Sequence, residues 1–303
     1  MDTRRIIITG VNGFVGHHLA QALHAEGFMV IGVGHDAISP KLEGIVSEYH
    51  KANLIETWPN VDNVDGVIHL AGLAAVGPSF EAPQRYINGN SAMVTNMCEY
   101  YIRQEKKPRI LILSSGAVYD SNQTMPISED GAISFSSPYA ISKVTTEHQA
   151  AYYRKRGLDC IVARPFNHSG PGQKSGFIIP DFYEKIRSAE QDGIITVGNI
   201  ETKRDYTDVR DVVTAYTGLI GAKTLTHTIY NVCSGVTIPG SQILDTLKTE
   251  LKRPDITFKI DESLIRPTDA PNIVGDASRL KQELGWQPTH SLTQTIHDFV
   301  EAN

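Results

Sequence analysis

Arg5-Ile6-Ile7-Ile8-Thr9-Gly10-Val11-Asn12-Gly13-Phe14-Val15-Gly16 decides how this chain folds. A short apolar, β-branched run stops at a glycine, and Val15, Leu19, Ala22 and Leu23 then recur at helical spacing until Gly27. That order reads as a strand, a tight turn and an amphipathic helix with a glycine stop. The three glycines of the turn are spaced G-x-x-G-x-x-G. Without side chains the backbone can turn sharply and approach a pyrophosphate, whose charge the helix N–H groups and dipole stabilise. Gly10, Asn12, Gly13, Phe14, Val15 and Gly16 are therefore the expected cradle of a dinucleotide.

Outward from this turn, strand and helix alternate. Residues 28–33, Val67-Ile68-His69-Leu70, Arg109-Ile110-Leu111-Ile112-Leu113 and residues 158–163 read as strands, with a helix around Met93 to Tyr101. Near-continuous apolar strands separated by helices predict a parallel sheet covered on both faces, a Rossmann-like doubly wound α/β fold. Beyond Arg164 glycines and prolines multiply and the alternation is lost, apart from a strand at 228–232 and a helix at 243–251. Residues 1–165 plus 205–235 are read as the dinucleotide-binding domain. Residues 166–204 plus 236–303 are read as a smaller C-terminal substrate-binding region over the strand ends, where ligands of such sheets lie.

Composition narrows the function. The chain has 303 residues, a net charge of -6, 41% hydrophobic and 20% charged residues. These describe a globular protein with a large core, and the negative charge argues against nucleic acid as a partner. No run approaches the roughly 18 apolar residues of a membrane span, and Arg4-Arg5 precedes a strand, not an export signal. Cys98, Cys160 and Cys233 are scattered, as core side chains in a reducing cytoplasm would be. No His/Cys/Asp/Glu spacing suits a metal.

At the end of the second strand, Val33-Gly34-His35-Asp36, glycine stands where NAD-binding sheets usually carry a ribose-binding acid. His35 could tolerate a 2′-phosphate, so NADP is the expected cofactor, with NAD as the alternative. Asn53 and Leu54, after the third strand, are placed to meet the adenine.

Ser137-Pro138-Tyr139-Ala140-Ile141-Ser142-Lys143 holds the expected chemistry. Serine as cap and proline at the first position start a helix, on which Tyr139 and Lys143 share one face. A nearby ammonium is expected to pull the phenol down from its ordinary value near ~10, making Tyr139 a proton donor. Ser114 and Ser115 end a strand on the ligand side, where a hydroxyl can bond a carbonyl as negative charge develops on it.

With these residues on the page, the chain resembles the extended branch of the short-chain dehydrogenase/reductase superfamily. The resemblance rests on the Gly10–Gly16 turn, Leu70-Ala71-Gly72, Ser114-Ser115, Tyr139/Lys143 and Gly285-Trp286-Gln287-Pro288, and covers essentially the whole chain. It implies that Ser115 polarises a sugar carbonyl, that Tyr139 transfers the proton, and that Lys143 tunes the phenol and bonds the nicotinamide ribose. It also implies cofactor contacts from Leu70, Ala71, Gly72, Ser114, Pro165 and Phe166. Dehydratases of that superfamily carry an acid just after the catalytic serine or threonine; here Gly116 and Ala117 stand there. The segments Arg164-Pro165-Phe166-Asn167, Val197-Gly198-Asn199, Arg204-Asp205-Tyr206-Thr207-Asp208-Val209-Arg210-Asp211 and Arg266-Pro267 are similar to those of GDP-4-keto-6-deoxy-D-mannose reductases. This implies a GDP-linked sugar held by Ser115, Asn167, Phe177, Ile178 and Val197, with its diphosphate clamped by Arg204 and Arg266. Guanidinium suits that task because it is always charged and two-pronged.

The expectation is a reductase of the C4 ketone of a nucleotide-linked 4-keto-6-deoxyhexose, giving GDP-D-rhamnose or GDP-6-deoxytalose. A nucleotide-sugar C4 epimerase holding NAD is the alternative, and a dinucleotide-sensing regulator without catalysis a third reading. The resemblance further implies a homodimer through helices at 91–103 and 139–156.

Overall fold

Ile6 and Ile8 turn to one face of the central sheet and Ile7 to the other, all three wholly buried. Side chains alternate across a strand, so one apolar run feeds two cores. In the computed structural model of the protein, residues 3–265 and 270–303 are described. The strands are β1 (Arg5–Thr9), β2 (Met29–Gly34), β3 (Val46–Lys51), β4 (Gly66–His69), β5 (Arg109–Leu113), β6 (Asp159–Pro165) and β7 (Asn167–Ser169). They continue with β8 (Ile194–Val197), β9 (Lys203–Asp208), β10 (Ile229–Val232), β11 (Thr237–Pro239), β12 (Thr257–Ile260) and β13 (Asn272–Ile273). The helices are α1 (Phe14–Ala25), α2 (Val76–Ser79), α3 (Pro83–Ile102), α4 (Pro138–Lys155) and α5 (Ile178–Ser188). After them come α6 (Val209–Gly221), α7 (Gly240–Glu250), α8 (Ser278–Leu284) and α9 (Leu292–Glu301).

Seven strands pair in the order β10-β6-β5-β4-β1-β2-β3, all parallel. The chain leaves β1 for β2 and β3 on one side, then returns to lay β4 on the other. That reversal opens a crevice beyond the C-terminal ends of β1 and β4. Leu19 and Leu23 of α1 and Val212, Tyr216 and Leu219 of α6 cover the Ile6/Ile8 face. Met93, Met97 and Tyr101 of α3 and Ala150 and Tyr153 of α4 cover the Ile7 face. Each such buried aliphatic or aromatic side chain contributes roughly 1.5–3 kcal/mol. The doubly wound fold expected from sequence is the one observed. β2 runs one residue later than the pattern suggested, because Gly34 still pairs with Lys51 of β3. Cys98, Cys160 and Cys233 are buried, the first two inside the Ile7-side core.

A separate apolar cluster joins Ile179 and Phe182 of α5, Val197 of β8, Ile243 and Leu247 of α7, and Phe299 of α9. The tail is tied back to the sheet layer by Trp286. It follows Gly285, whose left-handed φ of 67° closes α8, and its indole donates to Asp211 O at 3.0 Å. Among the described residues no helix is long and apolar enough to cross a membrane.

Candidate active site

Three segments that are remote in sequence meet where β1, β4 and β5 end. Gly10 adopts φ +67°, and a Cβ there would stand 3.0 Å from Ala71 N. Gly16 is under stricter constraint, since its Cβ would lie 2.5 Å from both Gly10 O and Val11 O. Gly13 is the N-cap of α1 and supplies no side-chain hydrogen bond, and the first turn holds no acid. The helix therefore presents its first N–H groups and positive dipole end from a cradle that any Cβ at position 16 would fill. Donors of this kind fit a dinucleotide pyrophosphate.

The floor of the crevice is pinned by Thr9. Its hydroxyl accepts from Ala71 N at 3.0 Å and shares a hydrogen bond with His69 Nδ1 at 2.9 Å. Burial, with the Lys143 cation adding to it, drives His69 down to about 3, so the ring stays neutral. The next residues, Leu70-Ala71-Gly72, run toward α4. A Cβ on Gly72 would be 3.2 Å from Asn90 Oδ1 and 3.7 Å from Lys143 Nζ. Asn90 of α3 brackets this segment, accepting from Leu73 N at 2.9 Å and donating to Ser142 Oγ at 2.9 Å.

α4 begins where Ser137-Pro138 predicted, with Ser137 Oγ accepting from Ala140 N at 3.1 Å. Tyr139 and Lys143 are both buried on its inner face. Lys143 Nζ donates to Leu113 O at 2.8 Å and lies 5.9 Å from the Tyr139 ring centroid. Ser115 Oγ accepts from Ala117 N at 3.1 Å, and its hydroxyl lies near enough to the Tyr139 phenol to favour the charged form. The structure thus brings the phenol and the strand-end hydroxyl to one side of the crevice.

The electrostatics correct the sequence expectation. Burial pushes the Tyr139 phenol above its usual value, and the nearby Ser115 hydroxyl offsets this only in part. Burial also lowers Lys143 to about 8, against the opposing pull of Glu147 one turn on. Both groups sit in low dielectric, which disfavours phenolate and ammonium alike and outweighs their proximity. At rest, then, Tyr139 holds its proton firmly, as a donor requires.

Several expected binding residues lie at the crevice and others do not. Phe14 stacks on His168 with centroids 6.3 Å apart, joining the glycine turn to the strand β7. His35 is exposed at the end of β2, beside Asp36. Asn53 is half-buried and donates to Glu56 at 2.8 Å, whereas Leu54 belongs to the Ile7-side core. The Leu54 side chain is therefore packed into that core. Pro165 ends β6, and Phe166 is buried under Gly116, whose Cβ would lie 3.0 Å from the Phe166 ring. Asn167 and Phe177 are exposed and Ile178 is half-buried. Val197 departs from expectation: it is wholly buried in the second core, and its carbonyl accepts from Asp261 N. Arg204, half-buried on β9, donates to Lys203 O at 2.8 Å. Arg266 lies outside the described residues. The acids following Arg204 are architectural. Asp205 accepts from Ser234 N, Gly235 N and Gly275 N, and Asp208 caps α6 through Arg210 N. Among the described residues no cluster of three His, Cys, Asp or Glu could hold a metal.

Sequence reasoning missed the layer beneath Tyr139. Arg164 forks onto Glu147 at 2.6 and 2.8 Å, and Ser114 Oγ donates to the same carboxylate. Glu147 stands four residues after Lys143, so the stripe Tyr139/Lys143/Glu147 was the available signal; Arg164 had none.

The family model described as GDP-mannose 4,6 dehydratase matches residues 7–299. A GDP-6-deoxy-D-mannose reductase of Pseudomonas aeruginosa is 30% identical over 98% of this chain and 96% of its own length. Among solved structures, RMD from Pseudomonas aeruginosa complexed with NADPH has a TM-score of 0.83 at 29% identity, covering 99% of this chain and 98% of its own. A Thermotoga maritima UDP-glucose 4-epimerase with UDP-glucose has a TM-score of 0.86 at 26% identity, covering 98% of each chain.

Proposed function

Because this chain belongs to the GDP-mannose 4,6 dehydratase family, within the extended short-chain dehydrogenase/reductases, we propose that it is an NADP-dependent oxidoreductase of nucleotide-linked sugars. The observation that carries this is the continuity of the crevice: Gly10 lies against Ala71, and Gly72 against Lys143 Nζ. One ligand spanning the glycine turn would end beside Tyr139. The relative solved with NADPH supports the cofactor.

The substrate is read as a GDP-linked 4-keto-6-deoxyhexose, reduced at C4 to GDP-D-rhamnose or its C4 epimer. The 30% identical reductase supports it. So does the absence of an acid after Ser115: Gly116 and Ala117 cannot transfer protons as dehydration requires, and a side chain at 116 would meet Phe166. The cofactor supplies hydride to the ketone carbon when bound. Ser115 would hold the carbonyl oxygen, and Tyr139, neutral in its buried setting, would donate the proton that completes the alcohol. Lys143 would fix the cofactor side of the pocket from its anchor on Leu113 O. Residues 1–165 plus 205–235 are assigned to the dinucleotide, and 166–204 plus 236–303 to the nucleotide sugar, with Arg204 and Arg266 on the diphosphate. The outer faces of α3 and α4 are assigned to a homodimer, which sedimentation would test.

Incubation with a panel of nucleotide-linked keto sugars and either reduced dinucleotide tests the reading. Stoichiometric cofactor consumption with the GDP-linked 4-keto sugar is expected. Purified protein that retains NAD and interconverts C4 epimers without net consumption would mean the epimerase instead.

A further inference from the structure

The end of β2 carries a feature that pyrophosphate binding leaves unused. A Cβ on Gly34 would lie 2.5 Å from the Tyr49 hydroxyl and 3.4 Å from Asn12 Nδ2. A side chain at 34 would therefore aim into the space beside the glycine turn. In NAD-binding sheets that space belongs to a carboxylate that takes the ribose 2′-hydroxyl. Here Tyr49 reaches into it from β3.

The surrounding loop is held by neutral bonds. The Tyr49 hydroxyl donates to Asp36 O and accepts from Asn12 Nδ2 at 3.2 Å. Asn12 Nδ2 also donates to Ala37 O at 2.8 Å, and its Oδ1 accepts from Ser39 N at 3.0 Å. Residues 36–39 are thereby folded onto the turn. Ser39 Oγ meets His17 Nε2 at 3.0 Å, while His17 Nδ1 donates to Gly13 O at 2.9 Å. His35 is exposed, and the Asp36 carboxylate is 87% exposed, 3.3 Å from His35 Nδ1.

We propose that Tyr49 is the specificity-determining residue for the dinucleotide: it occupies the carboxylate's space at the ribose 2′ position, so the chain selects the 2′-phosphorylated form, with His35 as the exposed imidazole beside the phosphate. This deepens the assignment of the crevice to a dinucleotide and rests on it. An imidazole suits a phosphate, while a carboxylate projecting from position 34 would repel it; the Asp36 carboxylate lies out in solvent, where its charge is screened. A side chain at position 34 would have to displace the Tyr49 hydroxyl from its bonds to Asp36 O and Asn12.

The test is direct binding of NADP+ and NAD+ to the full chain by calorimetry, independent of turnover. Wild type is expected to bind NADP+ about tenfold or more tightly than NAD+, the scale of one charge-assisted hydrogen bond. Gly34→Asp alone should weaken both ligands, because its Cβ collides with Tyr49. Gly34→Asp combined with Tyr49→Ala should reverse the preference. If that double variant does not fold, Tyr49→Phe and Asp36→Ser decide, both expected to keep the NADP+ preference. Wild type that favours NAD+, Gly34→Asp gaining NAD+ as well as the double variant does, or a swing to NADP+ only in Asp36→Ser overturns the proposal. Wild type that binds neither dinucleotide overturns the proposed function along with it.

Discussion

The two walls of the crevice are held by opposite means. The dinucleotide wall is bare backbone: Gly10, Gly13 and Gly16 bring main chain against main chain, and α1 starts without a side-chain cap. The wall behind Tyr139 rests on buried charge. Beneath Tyr139, Arg164 forks onto Glu147, donates to the Tyr119 hydroxyl at 2.8 Å and to Glu129 O at 3.0 Å. Tyr119 passes its proton to Asn231 Oδ1, and Asn231 N donates to Glu129. Arg279 of α8 closes the layer against Glu129 at 3.4 Å. Five chain segments are locked together there. A wall of bare backbone leaves the first N–H groups of α1 without a side-chain partner, whereas the wall behind Tyr139 pairs its buried charges.

Breaking the chemistry should have the largest effect. Tyr139→Phe removes the proton and leaves the ring, so turnover should fall about 10²–10⁴-fold. Dinucleotide affinity should change little; turnover near the wild-type rate would sink the proton-donor assignment. Next comes the buried layer. Arg164→Met strands the Glu147 carboxylate, 10% exposed, and should cost about 3–5 kcal/mol in urea unfolding. Replacing Glu147 as well, by Leu, should recover part of that loss. A single variant as stable as wild type would show that the ion pair is not what holds the wall.

The third effect is a pH slope. Lys143 falls from 10.5 to about 8 on folding. Below pH 8 both states carry the proton, so folding bears the full cost of burying the cation. As pH rises from 8 toward 10 the unfolded chain binds more protons, and stability rises by about 2–3 kcal/mol. Above the ordinary phenol value of 10.0, Tyr139, whose pKa is raised, pulls the other way. Wild type compared with Lys143→Met from pH 7 to about 10 isolates the slope; parallel curves would contradict a buried, destabilised ammonium.

How far each wall could be read from sequence follows from the same contrast. The glycine turn is contiguous, so strand, turn and helix were legible together, as was the start of α4 at Ser137-Pro138. The buried layer is assembled from residues 119, 129, 147, 164, 231 and 279, and no local pattern joins them. The same blindness hid the work of the acids after Arg204: Asp205 is spent on backbone N–H groups 29 to 70 residues away. Spacing also gave the direction of Tyr139 and Lys143 without their depth, and depth decided their protonation.

The smallest expected effect sharpens the comparison most. Gly16→Ala puts a methyl group 2.5 Å from Gly10 O and Val11 O, so the turn must open. Overpacking of this kind should cost about 1–3 kcal/mol and widen the cradle. Gly27 is the control. It sits at φ +83° with nothing within 4 Å of its Cβ, so Gly27→Ala carries only the left-handed strain of about 1–2 kcal/mol. Both variants should lose similar stability, read as the shift in unfolding midpoint. Only Gly16→Ala should also lose dinucleotide affinity, because Gly27 lies at the far end of α1. Equal loss of affinity in both would mean that binding tracks general stability, and the backbone-built wall would then have no specific role.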